Sequence, residues 1–155
     1  MACDGSPVRL PRLMEASDTE AWRLLDRTEY GHAVVTLHGF PAVRPAGHLL
    51  DHDSLVVRTA LPPDLLTTAG DRPSPLAYHV HEIDPTSGNG WEVTVLGLAE
   101  PIADPRAEAR YRVSLPGWTH GHYDTVLRLH PHTVTGFRLG HPLSLVPDAC
   151  PVGVR

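Results

Sequence analysis

Leu55-Val56-Val57-Arg58-Thr59, followed by Pro62-Pro63-Asp64, is the stretch from which the rest of the chain can be read. Its unbroken apolar run predicts a buried strand. Arg58 and Thr59 emerge at the end of that strand, ahead of a short helix over 64–69. A guanidinium, a hydroxyl and free helix N–H groups together predict a seat for an anion such as a phosphate. Asp64 opposes this, because it puts a negative charge where a phosphate favours a cation.

Outward from this stretch the pattern is mostly strands. Residues 32–38, 42–50 and 55–59 read as an antiparallel meander with a turn at His38-Gly39-Phe40. Further strands are expected over 75–83 and 91–101, the second with a bulge at Gly97. Two closing strands are expected over 125–130 and 133–139. Ser17-Asp18-Thr19-Glu20 reads as a capping box, with Glu20 reaching back, for a helix that stops near Tyr30-Gly31. Asp104-Pro105 starts a helix over 106–113. Residues 116–122 form a Gly-rich loop, a candidate lid carrying Trp118. About seven strands with helices at the connections predict a mainly β protein, a closed or nearly closed barrel. Its expected division is an extended arm at 1–16, one barrel domain at 17–140 and a mobile tail at 141–155.

Composition limits the functions open to this fold. At 155 residues the chain is one domain with room for a core. The net charge of -5 and the lack of any basic block argue against nucleic acid. No apolar run reaches membrane-spanning length, and the first residues lack a signal pattern, so a cytoplasmic protein is expected. Cys3 and Cys150 are too few for a disulfide framework. All 13 basic residues are arginine, which excludes any chemistry through a lysine Schiff base.

Several pieces, taken in order, resemble the pyridoxamine 5′-phosphate oxidase-like family of flavin-binding split β-barrels. They are Glu20-Ala21-Trp22-Arg23-Leu24-Leu25, Tyr30-Gly31-His32, Pro45 through Asp51, Val57-Arg58-Thr59-Ala60, Gly90-Trp91-Glu92-Val93, Arg128-Leu129-His130-Pro131 and Val134-Thr135-Gly136-Phe137-Arg138. The resemblance implies a homodimer with flavin mononucleotide (FMN) at its interface. It places Arg58 and Thr59 on the phosphate and the backbone of Pro45, Ala46, Gly47 and His48 against the ring. It also puts Arg138 near the ligand and leaves Trp91 to pack at the seam or stack on a flat ligand. Where relatives carry a phosphate-binding lysine, this chain has Asp64. Two unit charges ~4 Å apart interact by about 4 kcal/mol at an effective dielectric of ~20, so that exchange weakens phosphate binding.

The 11 histidines supply the other candidates. His79 and His81 replace two acids of the family pattern and share one face of a strand. Such a pair can ligate a metal, although no third ligand can be placed from the sequence. His48 is the side chain best placed for acid–base work. The leading expectation is an FMN-dependent oxidoreductase acting on a small molecule, with a deazaflavin as a related possibility. The alternative is a flavin-independent relative whose His-rich cleft binds another small molecule, haem or a metal, for acid–base catalysis or sequestration.

Overall fold

The structure is a computed structural model that describes residues 11–62 and 73–140. Its elements are β1 (Arg12–Ala16), α1 (Asp18–Asp26), β2 (Tyr30–Leu37), β3 (Phe40–Asp51), β4 (Ser54–Thr59), β5 (Ser74–Ile83), β6 (Gly90–Pro101), α2 (Pro105–Ser114) and β7 (Thr125–Gly140). The sheet runs β1-β7-β4-β3-β2-β5-β6, and β6 also pairs with β7. That last pairing closes six strands into a barrel, leaving β1 as an added edge on the far half of β7.

Local chemistry explains most of the elements. β2 and β3 form a two-residue hairpin whose loop, His38-Gly39, takes φ 50 and 82. Left-handed backbone at both positions matches the twist of the strands, and glycine adopts it freely. Ser17 caps α1 by accepting the Glu20 N–H. Ala21, Leu24 and Leu25 of α1 are buried against the barrel interior with Leu55, Val57, Tyr78, Val93, Val95, Leu127 and Leu129. Each large apolar side chain buried there contributes about 1.5–3 kcal/mol.

α2 is held differently. None of its residues is fully buried. A small apolar patch of Val56, Leu115 and Val126 lies beneath it, edged by Leu49, Ile102 and Tyr111. Polar bonds do the rest. Tyr111 donates to Asp51, and Arg128 donates to Asp51 at 3.1 Å, Ser54 at 2.6 Å and the Tyr111 hydroxyl at 2.8 Å.

The mainly antiparallel barrel matches the sequence expectation, and its register shifts between Leu96 and Gly97 as the bulge requires. Several details differ. Residues 125–130 and 133–139, expected as two strands, are one 16-residue strand, β7. Pro131 suggested a turn there, but it falls opposite Gly97 at the register shift, where β7 carries the extra residue His132, the ladder is interrupted and a missing N–H costs little. Within the expected arm, Arg12–Ala16 is a strand paired to β7. The total of seven strands therefore has a different membership from the expected one. Glu20 does not reach back to its helix, because Arg138 holds its carboxylate. α1 ends at Asp26 with Arg27 as its cap, before Tyr30-Gly31. Gly31 lies inside β2, where a Cβ would come within 2.7 Å of the Tyr78 hydroxyl. The expected helix at 64–69, Asp64 and the tail at 141–155 lie outside the described residues. No helix among the described residues is long and apolar enough to cross a membrane.

Candidate functional site

Arg58 is the second-last residue of β4, paired with Gly47 on β3 and Val126 on β7. Side chains alternate along a strand. Arg58 therefore shares the α2-facing side with Val56, while Thr59 turns into the barrel with Val57. The Arg58 guanidinium is nearly saturated. Nε and Nη2 donate to the two carboxylate oxygens of Asp124 at 2.9 and 3.0 Å. Nη1 donates to the carbonyls of Arg112 and Leu115 at 3.1 and 3.0 Å. A guanidinium carries five N–H donors, so one is left. This fork-on-fork geometry is the way arginine holds any planar oxyanion.

Asp124 is clamped from a second side by Arg112, whose Nη1 lies 2.5 Å from it. Glu108 orients Arg112 in turn through a 3.0 Å bond from Nε. Bonding to Arg58 first, and the two positive charges after it, hold the Asp124 carboxyl below the usual carboxylate range.

The connection from α2 to β7 lies across the same corner. A Cβ on Gly47 would sit 1.7 Å from the Pro116 carbonyl oxygen, so that backbone rests directly on the glycine. Gly117 packs on the Arg58 side chain, where a Cβ would come within 3.0 Å of Cδ. Trp118 stands over Tyr30, ring centroids 5.4 Å apart. Anchored by Pro116, Trp118 and Asp124, this connection is a strap over the β3–β4 corner.

The other expected site residues are distributed as follows. Thr59 is buried and donates to the Pro45 carbonyl at 3.4 Å, on the face opposite Arg58. The Ala46 carbonyl lies 3.3 Å from the Tyr78 hydroxyl, whose one proton goes to its shorter bond with His48. His48 is only 2% exposed. Its Nε2 faces the Leu25 carbonyl at 3.0 Å, and its Nδ1 faces the Tyr78 hydroxyl at 2.7 Å. A carbonyl can only accept, so Nε2 carries the proton and Nδ1 accepts from Tyr78. Desolvation pushes the His48 pKa down and that of the Tyr78 hydroxyl up, so both stay neutral. Both ring nitrogens that sequence reasoning offered for acid–base work are thus occupied by core bonds, at the edge of a cavity of about 190 Å³.

Trp91 is buried in the barrel interior, and Arg138 pairs across the sheet with it and in space with Glu20. Arg138 lies 12 residues along β7 from Val126, the strand partner of Arg58. At ~3.3 Å per residue that is a contour of about 40 Å. The structure therefore brings Arg58 together with Pro45–His48 and sets Trp91 and Arg138 at the other end of the barrel. His79 and His81 share the outer face of β5, with His81 Nδ1 3.3 Å from His79 Nε2. Among the described residues no three His, Cys, Asp or Glu side chains are gathered closely enough to hold an ion as they stand.

Sequence reasoning missed Asp124, Arg112 and Pro116. Asp124 lies 66 residues from Arg58 with no periodicity linking the two. The available signal is the Gly-rich stretch 116–122, whose sequence does not name a partner for it.

The family model of pyridoxamine 5′-phosphate oxidase matches residues 17–138. The uncharacterized protein Rv0080 of Mycobacterium tuberculosis is 34% identical over 137 residues, covering 86% of this chain and 90% of that protein. An FAD binding protein from Mycobacterium smegmatis superposes with a TM-score of 0.58 at 22% identity, over 82% of this chain and 98% of its own. An FAD-binding protein from Mesorhizobium loti superposes with a TM-score of 0.60 at 14% identity, over 85% of this chain and 100% of its own. At these identities the two structures share its fold.

Proposed function

The chain belongs to the pyridoxamine 5′-phosphate oxidase family, and on that footing we propose that it is a flavin-binding protein that seats FMN and acts as an oxidoreductase on a small molecule. Family membership supports this reading, as do the two fold relatives described as FAD-binding. The observation that carries it is the bidentate grip of Arg58 on the Asp124 carboxylate. That carboxylate is a stand-in for a phosphate. The grip sits beside a glycine that lets another group come into contact with the β3 backbone.

The fit to a flavin is conditional, because the chain's own groups fill both halves of the seat. Asp124 takes the oxyanion position and Pro116 the space over Gly47. A flavin phosphate would exchange with Asp124 on Arg58 once the strap withdraws. Thr59 faces the other way and supports Pro45. Arg112 stays near as a second cation. The bound flavin supplies hydride transfer, and the protein supplies placement and exclusion of water. Arg58 and Trp91/Arg138 are too far apart to serve one flavin from one chain, so a homodimer with sites at its seam belongs to this reading. A cytoplasmic location belongs to it too.

A second reading has a specific basis in the same pair. If Asp124 is a permanent counter-ion, the Arg58 seat is closed for good and the protein is a flavin-independent relative. Titration of the purified chain with FMN, and separately with FAD, decides between them. Saturable quenching of flavin fluorescence by FMN, lost in Arg58→Gln, supports the flavin reading. Absence of binding by both the wild type and Asp124→Asn rules it out.

A further inference from the structure

The outer face of β2, β5 and β6 carries a cluster that the proposed flavin seat does not use. His32 on β2 pairs directly with His79 on β5. His81 lies two residues further along β5, on the same face. Glu92 on β6 pairs with His81, and Thr94 pairs with His79. Four potential ligands thus occupy adjacent positions on three neighbouring strands. The ring centroids of His79 and His81 are 5.3 Å apart, and those of His32 and His81 are 6.3 Å apart.

We propose that His79, His81 and Glu92, completed by His32, form a binding site for a divalent transition metal of the zinc class. The distances carry the argument. Metal–nitrogen bonds of about 2.0–2.1 Å in a tetrahedron put neighbouring ligand atoms about 3.3 Å apart. His81 Nδ1 and His79 Nε2 are 3.3 Å apart, and Glu92 Oε2 is 3.8 Å from the same His79 Nε2. His79 Nε2 therefore has His81 Nδ1 at ligand–ligand spacing and the Glu92 carboxylate within half an ångström of that spacing. No three of these side chains converge on one point as they stand, so Glu92 and His32 must both turn about their side-chain torsions to join the His79–His81 pair.

The surroundings suit a ligand set as well. His79 Nδ1 lies 3.0 Å from the Thr94 hydroxyl. A metal-binding imidazole is commonly oriented by such a bond from its other nitrogen. With Nδ1–H given to Thr94, His79 Nε2 presents its lone pair toward His81 and Glu92. The metal would take the place of the proton now shared between the two rings, and that proton moves to His81 Nε2 on the solvent side. Side-chain exposures of 29% for His79 and 33% for Glu92 leave the site reachable. A groove of about 540 Å³ has His81 at its edge. Elsewhere the histidines follow a different pattern: His130 pairs with Glu100 and His52 with Asp51, each a single ring beside one acid.

The test uses the full chain, made without a polyhistidine tag and stripped with a chelator. It is titrated with cobalt(II), read by the visible band of the tetrahedral ion, and then with zinc(II) in competition. The expected result is one ion per chain. His79→Gln and His81→Gln should each weaken binding by about 100-fold or more, and Thr94→Val by about 10-fold. His130→Gln, in the separate His130-Pro131-His132 stretch, should leave it unchanged. His81 and His130 are exposed and His79 and Thr94 half-buried outside the core, so the variants should match wild-type thermal unfolding without metal. No saturable binding, or binding that survives the His79→Gln/His81→Gln double change, would overturn the proposal. Flavin plays no part in the readout, so this test stands or falls apart from the proposed function.

Discussion

Replacing Asp124 by asparagine should make the protein less stable and at the same time a better flavin binder. The carboxylate accepts two bonds from Arg58, at 2.9 and 3.0 Å, and is paired with Arg112 at 2.5 Å. Both partners of the Arg58 pair are about one-fifth exposed, so water screens the pair only in part. Charge-assisted bonds contribute about 1.5–3 kcal/mol each. An amide keeps one acceptor, loses the charge and turns an N–H₂ toward the guanidinium. The closed strap therefore loses about 2 kcal/mol. At about 1.4 kcal/mol per factor of ten, that raises the open fraction about 30-fold. Apparent affinity follows the competent fraction, so the FMN dissociation constant should fall by about the same factor. The melting temperature should fall by about 4–8 °C, at about 2–4 °C per kcal/mol for a chain of this size. Flavin fluorescence titration and thermal unfolding measure the two effects on the same sample. A lower melting temperature with unchanged or weaker FMN binding would refute competition between Asp124 and the phosphate.

Gly47→Ala should push the strap off β3, because its Cβ would overlap the Pro116 carbonyl. We expect a loss of about 1–3 kcal/mol in urea unfolding and a changed Trp118 emission as that ring leaves Tyr30. Tyr78→Phe should cost about 1–3 kcal/mol by leaving buried His48 Nδ1 without its donor, again read by urea unfolding. Acid should unfold the protein partly through Asp51, whose carboxyl is lowered to about 2, first by the Tyr111 hydrogen bond and then by His52 and Arg128. A depressed carboxyl contributes stability above its unfolded value and loses it as the pH falls through its folded one. The loss should therefore run from about pH 4 to about pH 2 and reach about 2 kcal/mol before solvent screening. Asp51→Asn should flatten that part of the stability–pH curve, and an unchanged acid limb would count against the assignment.

The barrel was legible because its strands obey local rules. The β2–β3 hairpin, the Gly97 bulge and the Asp104-Pro105 helix start each follow from a few adjacent residues. Errors arose where tertiary context overrode a local signal. Pro131 looked like a turn until a bulge in its own strand, with His132 left unpaired opposite Leu96 and Gly97, absorbed it. Glu20 looked like a capping residue until Arg138, 118 residues away, took its carboxylate. The corner at Arg58 could be located from the sequence because an apolar run ending in arginine and threonine is a local pattern. Its state could not, since Asp124 and Pro116 arrive from a connection whose path depends on how α2 docks. His48 illustrates the same limit. A histidine beside a glycine on a strand resembles a catalytic group until the helix carbonyl and the tyrosine that satisfy it are placed. His79 and His81 were legible as a pair, but their neighbours His32 and Glu92 became visible only with the strand register.

The account turns on whether Arg58 is an oxyanion seat that the chain's own Asp124 fills until a flavin phosphate displaces it. A crystal structure of the protein soaked in FMN tests this most directly. The phosphate should lie within hydrogen-bond distance of Arg58, with Asp124 turned away and Pro116 lifted from Gly47. A flavin bound elsewhere, with the Arg58–Asp124 pair intact, would contradict it.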